Sequence, residues 1–498
     1  MITSTPESPD PLSVPDPRSV PDRRDPLGLA ADAPLLAAWL DWTARAQTGQ
    51  LTPMTTPGHK QRQDLTGAVV AGDAPLYGGL DSIKHAEQLL ANAEARAAAL
   101  WGADWCRFSV AGSTHGNQAF CLAVGQPGQE VIITRTLHKS LLLGLVMAGL
   151  RPVWVRPDID PGSGLPAAVA VQTVREALAS HPDACGVILG DPSYVGTTGD
   201  LAGHARAAHE AGVPLIVDAA WAAYQGFHRD LPAHAMAAGA DAMVTSAHKT
   251  LPAYSQGALV LARTGRLDPA RLNRAFDATH TTGPAGSIMA SIDASRALLA
   301  RDGERLCARL LRCVAGARAR LREVPGVDVL DGPGVDPAKL VVLLAGTGAH
   351  GGLVETDLIA AGMPVEMGDR DTVVPLVTIA DDETRLAAFT TELIASIERH
   401  RGRPRCPAAT ATWTVRPQTV LAPREAFFAP TETVAARAAV GRISAELVAP
   451  YPPGVPVLAP GELITAEALG ALREVAADGG RIAYAADPTL ATFQVVAD

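Results

Sequence analysis

No apolar run in the 498 residues approaches the length of a membrane span. The N-terminus lacks the basic-then-apolar pattern of a secretory signal. Positive charge is also in short supply, with 42 Lys and Arg against 52 Asp and Glu, a net charge of −10 and a pI near 5.7. A nucleic-acid or anionic-membrane partner would need a basic face, so neither is expected. The one Arg-rich patch, "RHRGRPR" (399–405), reads as solvated linker. Cysteines number six (106, 121, 185, 307, 313 and 406), none in C-x-x-C spacing and several in apolar segments. They read as reduced, small hydrophobes, not as metal ligands or disulfides. Aromatic residues are sparse and no internal repeat is visible. What remains is an Ala-rich chain, 47% hydrophobic with a mean hydropathy of +0.12, long enough for a large core in two or three domains. A cytoplasmic protein is expected.

Residues 1–28 are rich in Pro, Asp and Ser and read as a disordered tail. Residues 29–85 form an N-terminal segment with a predicted helix over 33–47. From 86 to 330, "AEQLLANAEARAAALWG" predicts a helix closed by Gly102. Short continuous apolar strands follow at 131–135, 152–156, 186–190, 214–220, 242–246 and 258–262, most of them separated by helix-length segments. That alternation predicts an α/β domain whose largely parallel sheet is covered by helices on both faces. Past 330 the pattern changes. "KLVVLLAG" and "VVPLVTIA" predict strands of a smaller domain (331–401) with a helix in "DETRLAAFTTELIASIERH". A Pro/Arg-rich linker (402–424) then leads to a last unit, 425–498.

In such sheets, functional residues gather where strands end at their carboxyl side. Three loops qualify. "VAGSTHGNQAF" offers glycines, Ser113 and Thr114 at a helix start, where free amides bind anions, although Ser and Thr also cap ordinary helices. "PLIVDAAWAAY" places Asp218 after an apolar strand, where a bare carboxylate needs a cationic partner or serves as a turn cap. "DAMVTSAHKTLPAYSQGALVLAR" sets Ser246, His248 and Lys249 between two apolar strands; alone, such a lysine is usually exposed. Together, an anion loop, a strand-end Asp and a Ser-x-His-Lys follow the order expected for pyridoxal 5'-phosphate. The glycine loop and Ser246 would hold the phosphate, and Asp218 would keep the pyridine nitrogen protonated. Lys249, its proton affinity lowered by burial, would carry the aldehyde as a Schiff base.

The chain resembles the Orn/Lys/Arg decarboxylase family, pyridoxal-phosphate enzymes of the aspartate-aminotransferase fold (fold type I). The similarity runs from "TPGHK" (56–60) and "YGGLDSI" (77–83) through the phosphate loop, "RTLHKS" (135–140), "VDAAWAAYQGF" and "TSAHKT" to "HTTGPAGSIMASIDASR" (280–296) and the C-terminal "PREAFFAPTETVAARAAVGRISAELVAPYPPGVPVLAPGE". The resemblance implies a large cofactor-binding domain, smaller α+β C-terminal units, and a shorter form without the amino-terminal wing. It implies Lys249 as the Schiff-base lysine, Asp218 as the partner of the pyridine nitrogen, and His138 stacked on the ring, where a capped loop histidine is the plain alternative. It also implies Ser113, Thr114 and Ser246 at the phosphate, Trp221 in the pocket, and His248 handling protons or positioning substrate. Thr281 and Thr282 would reach a neighbouring subunit's cofactor in a homodimer or larger homo-oligomer. Three positions depart from the family pattern: Ala219, Ala247 and Gly283 stand where hydroxyl residues are usual. The implied activity is decarboxylation of a basic amino acid, arginine ahead of lysine and ornithine. Glu366 and Glu432 are candidates to read the substrate's far end, though both residue types are more often surface or capping carboxylates. Two other readings stay open: an aminotransferase or other lyase, and a non-catalytic homologue.

Overall fold

A computed structural model describes residues 24–51, 53–76, 88–407, 411–451 and 454–497. Most of the expected tail and the whole of "YGGLDSI" lie outside these residues. Seven strands form the main sheet: β1 (Trp105–Ser109), β2 (Glu130–Thr134), β3 (Arg151–Val155), β4 (Val187–Gly190), β5 (Leu215–Asp218), β6 (Ala242–Ser246) and β7 (Ala258–Ala262). Their spatial order is β1-β7-β6-β5-β4-β2-β3, with β7 antiparallel to both its neighbours and the other pairs parallel. The expected mainly parallel sheet is therefore present, and it is buried on both faces.

Alternation along each strand feeds two separate cores. Val131, Ile133, Ile188, Ile216, Val244 and Val260 pack with the helices Gly112–Val124, Lys139–Ala148 and Pro269–Thr279. Ile132, Val187, Leu189, Val217, Met243 and Leu259 face the opposite core, which takes in helices Leu89–Trp101, Leu201–Glu210 and Gly286–Arg322. Each such fully buried aliphatic side chain contributes about 1.5–3 kcal/mol. Helix Gly112–Val124 lies very close to the sheet: a Cβ at Gly116 would stand 2.6 Å from a Val244 methyl and 2.9 Å from a Val260 methyl. Only glycine permits that approach, which brings the helix start to the strand ends. The helix predicted over 33–47 forms as Pro34–Gln47. The one closed by Gly102 forms as Leu89–Trp101, with Gly102 left-handed at φ 65°.

β1 escapes a search for apolar runs because Arg107 interrupts "WCRFS". The Arg107 guanidinium leaves the sheet to reach the Asn273 side-chain amide oxygen at 2.8 Å while its neighbours remain buried. A second, antiparallel sheet contains β8 (Asp328–Val329), β9 (Val342–Leu343), β10 (Met367–Gly368) and β11 (Thr372–Val374), in the order β10-β11-β9-β8. Its strands are shorter than "KLVVLLAG" and "VVPLVTIA" suggest, since Pro375 cannot donate to a ladder and β11 stops at the residue before it. The C-terminal part adds two strand pairs, β12 (Thr431–Ala435) with β15 (Thr492–Val496) and β13 (Ala449–Tyr451) with β14 (Arg481–Ala483), beside helix Ala466–Ala477. The stretch expected as solvated linker departs from that expectation at Arg405. Its guanidinium meets Asp371 at 2.7 Å and the carbonyls of Gly348, Ala349 and Arg370.

The C-terminal part is clamped to the main sheet by a buried ion pair. Arg135, just past β2, donates to Glu462 at 3.2 and 2.9 Å, with side chains only 3% and 1% exposed. The same guanidinium reaches the Pro456 carbonyl at 2.8 Å and lies 5.3 Å from the Trp154 ring centroid.

Candidate active site

The carboxyl ends of β4, β5 and β6 and the start of helix Gly112–Val124 surround a cavity of about 540 Å3. Ser113, Thr114, Asn117, His138, Tyr194, Asp218, Trp221, Ser246, His248, Lys249, Glu366, Tyr451 and Val455 all line it. The walls thus come from the main sheet, from the loop before β10 and from the C-terminal part.

Asp218 is the last residue of β5, where the chain turns out of the ladder. Its Oδ2 accepts from the Asn117 side-chain amide at 2.7 Å and its Oδ1 from the Ala220 N–H at 3.2 Å. Asn117 also donates to Ser140 Oγ at 2.9 Å, so one amide ties Asp218 to the first turn of helix Lys139–Ala148. The buried carboxyl group is therefore hydrogen-bonded in place. Ser113 and Ser246 share a hydrogen bond at 2.7 Å beside the helix start, closing a cradle of two hydroxyls and first-turn amides. Gly112 is left-handed at φ 70° there, and a Cβ on it would stand 3.9 Å from the His248 ring.

Lys249 follows Ser246 in the four-residue turn of helix Ala247–Thr250. Its ammonium stands 4.0 Å from the Trp221 ring centroid, a cation–π contact. Burial lowers its proton affinity, while the charges of Asp218 and Glu366 pull the other way. His248 is likewise pushed down by burial, and its Nδ1 donates to the Gly257 carbonyl at 2.9 Å. A neutral His248 therefore keeps its Nε2 lone pair free. His138 is lowered first by burial, and the Lys249 and Lys139 charges add to that against Asp218. It both lines the cavity and caps helix Lys139–Ala148: its Nδ1 accepts from the Ser140 N–H at 3.3 Å, which puts the neutral ring's proton on Nε2.

Not every expected residue meets here. Thr281 and Thr282 are exposed on the loop before helix Gly286–Arg322, outside this chain's cavity. Glu432 lies on β12, 46% exposed and paired with Arg442 at 2.6 Å, so the structure does not bring it to the cavity. Glu366 is at the cavity, where Tyr194 donates to its Oε1 at 3.4 Å. Tyr194 in turn meets Trp221 edge-on, with centroids 5.3 Å apart.

Sequence reading missed Asn117, Tyr194, Tyr451 and Lys339. Asn117 had a signal, since it stands four residues after Ser113 on a helix and shares that face. The others reach the site only through loops and tertiary packing. Among the described residues, no group of His, Cys, Asp and Glu could hold a metal ion, and no helix is long and apolar enough to cross a membrane.

Residues 68–357 match the family model "Orn/Lys/Arg decarboxylase, major domain", and residues 407–475 match the family's C-terminal domain. An arginine decarboxylase of Halalkalibacterium halodurans is 31% identical over 459 residues, which are 88% of this chain and 93% of that protein. The constitutive lysine decarboxylase of Escherichia coli is 25% identical, covering 75% of this chain and 66% of its own. Among solved structures, the Francisella novicida lysine decarboxylase superposes with a TM-score of 0.79 at 19% identity, over 93% of this chain and 81% of that one. At that identity the superposition speaks for the fold.

Proposed function

The chain belongs to the Orn/Lys/Arg decarboxylase family, and from that premise we propose that it is a pyridoxal-phosphate-dependent decarboxylase of a basic amino acid, with arginine as substrate. One observation carries the proposal: Lys249 projects into a cavity that holds Asp218 and, as its remaining carboxylate among the described residues, Glu366. Support for arginine comes from the relatives of similar length, which bear the name arginine decarboxylase.

The residues fit the cofactor on structural grounds. A strand-end carboxylate is held by Asn117, a hydroxyl pair sits at a helix N-terminus, and a lysine of lowered proton affinity lies against an indole face in the same cavity. Lys249 would hold the cofactor covalently, Asp218 would face its ring nitrogen, and Ser113, Thr114 and Ser246 would take its phosphate. His138 and Trp221 would bound its ring. When bound, the cofactor supplies the electron sink that lets a carboxylate depart as carbon dioxide.

The chain's own groups do the rest. Trp221, Tyr194, Tyr451 and Val455 wall the cavity with apolar surface and limit water, which favours loss of a charged carboxylate as a neutral gas. Glu366, steadied by the Tyr194 hydroxyl, would pair with the substrate's guanidinium and fix the far end of its chain. His248 Nε2 or Lys249 Nζ would hold the proton that returns to the substrate carbon. A homodimer is part of the proposal: exposed Thr281 and Thr282 would serve a second copy's cavity, and light scattering on the T281A/T282A variant would separate assembly from cofactor grip.

The direct test incubates cofactor-loaded protein with arginine, lysine and ornithine and measures amine and carbon dioxide. Equimolar agmatine and carbon dioxide from arginine are expected. A transferred amino group without carbon dioxide would refute decarboxylation.

A further inference from the structure

Lys339 is a buried cation that the chemistry above leaves unused. It precedes β9, 7% exposed, and its stem runs along Gly196, where a Cβ would stand 2.6 Å from Lys339 Cγ. Gly196 is left-handed at φ 85°, so glycine serves there both for backbone and for room. At the end of that channel the Lys339 Nζ has no hydrogen-bond acceptor. It stands 4.2 Å from the Trp221 ring centroid and 5.5 Å from that of Tyr194. Both rings are cavity walls: Trp221 also carries Lys249, and Tyr194 donates to Glu366.

The charged and titratable groups around Lys339 come from every side. Asp336 lies on its own turn, Glu366 on the loop before β10, Tyr194 after β4, and Lys249 after β6. Asp336 is already taken up by the Tyr224 hydroxyl, the Gln225 amide and the Ala338 N–H. Glu366 is the largest charged influence on Lys339. An ammonium buried without an acceptor is costly, and its charge must be balanced by that carboxylate and the aromatic faces.

Resting on the reading that Glu366 receives the substrate's distal cation, we propose that Lys339 is the resident counter-ion of Glu366 and releases a proton when that cation arrives. One N–H bond of the ammonium breaks, the proton passes to solvent, and the amine stays neutral while the incoming guanidinium or ammonium neutralises Glu366. Two cations beside one carboxylate in an apolar site repel; a guanidinium cannot shed its charge, and against a substrate ammonium the buried Lys339, its proton affinity already lowered, gives up its proton first. Burial already lowers Lys339 to about 8. An arriving cation lowers it further, so release occurs between that lowered value and about pH 8 and vanishes outside this window. Affinity therefore rises with pH across the window by up to about tenfold per unit and levels off above it.

The test titrates cofactor-loaded protein with n-butylguanidine, arginine stripped of its α-amine and α-carboxylate, by calorimetry in buffers of different ionisation heat. Wild-type protein is expected to release a fraction of one proton per site near pH 7.5. K339M is expected to release none and to bind tightly with little pH dependence from 7 to 8.5. K339R keeps its charge and is expected to bind weakly throughout, whereas a purely structural role would impair both variants alike. Wild-type binding without proton release overturns the proposal and needs no variant. Release that persists in K339M assigns the proton to another group, and overturns it too. E366Q separates the two levels. Unchanged affinity in E366Q refutes Glu366 as the reader, and the Lys339 role with it, while lost affinity alongside a proton-silent wild type refutes Lys339 alone.

Discussion

Replacing Glu462 by Gln removes one charge from a site that also holds two arginines. Arg135 loses its charged, bidentate partner at 3.2 and 2.9 Å and keeps one neutral amide oxygen, the Pro456 carbonyl and the Trp154 face. Arg156, pushed down to about 10 by burial and by the neighbouring Arg135 charge, loses the carboxylate that opposes that push. Breaking one side of a buried pair costs about 3–5 kcal/mol because the surviving charge stays unpaired. With a second cation nearby, E462Q is expected at the upper part of that range, felt as undocking of the C-terminal part. Urea unfolding followed by tryptophan fluorescence should show an early transition, and limited proteolysis should cut between the main sheet and the C-terminal part sooner. Turnover should fall as well, because Tyr451 and Val455 leave the cavity wall. The apolar double replacement R135M/E462L, which leaves no orphaned partner in the pair, is expected to recover much of the loss. An E462Q cost below about 1 kcal/mol, or single-variant costs that simply add, would refute the clamp.

N117A deletes the 2.7 Å hydrogen bond to Asp218, a charge-assisted contact of about 1.5–3 kcal/mol, and should weaken cofactor binding about ten- to a hundredfold in a fluorescence titration. K249A should leave no cofactor attached after borohydride reduction and mass analysis, whereas wild-type protein should carry one label in the peptide containing position 249. H248N keeps a group able to donate to the Gly257 carbonyl but has no Nε2 base, and should lower turnover about 10²–10⁴-fold with little effect on substrate affinity. His115, buried between Ser109 and the Phe276 carbonyl, is lowered to about 4. Its contribution is complete above the unfolded value near 6.5 and is lost as pH falls towards 4, at up to about 1.4 kcal/mol per pH unit. H115Q should flatten that part of the urea stability–pH curve by about one proton.

Five of the six strands read from the sequence, β2 and β4 to β7, were legible because strands buried on both faces are written as largely apolar runs, and β3, at the other edge, showed through its Val-Trp-Val. β1 was not, because at the sheet's edge Arg107 can turn outward to Asn273 without cost to its neighbours. Ser113, Asp218, Ser246 and Lys249 were legible for a related reason: each stands at or just beyond the end of a strand or at the first turn of a helix, positions fixed by local pattern. Glu366 and Glu432 looked equivalent in the sequence, and only packing separates them, one beneath Tyr194 at the cavity and the other on an exposed strand with Arg442.

What the sequence determined by itself was the α/β framework and the polar groups that must emerge where its strands end, since hydrophobic periodicity and the avoidance of bare buried charge act over a few residues. The tertiary structure decided which distant groups share those ends. Asn117 meets Asp218 across 101 residues, Arg135 meets Glu462 across 327, and Lys339 threads past Gly196 to the far side of the substrate cavity's aromatic wall. Such contacts depend on how layers dock against one another, which no local spacing encodes.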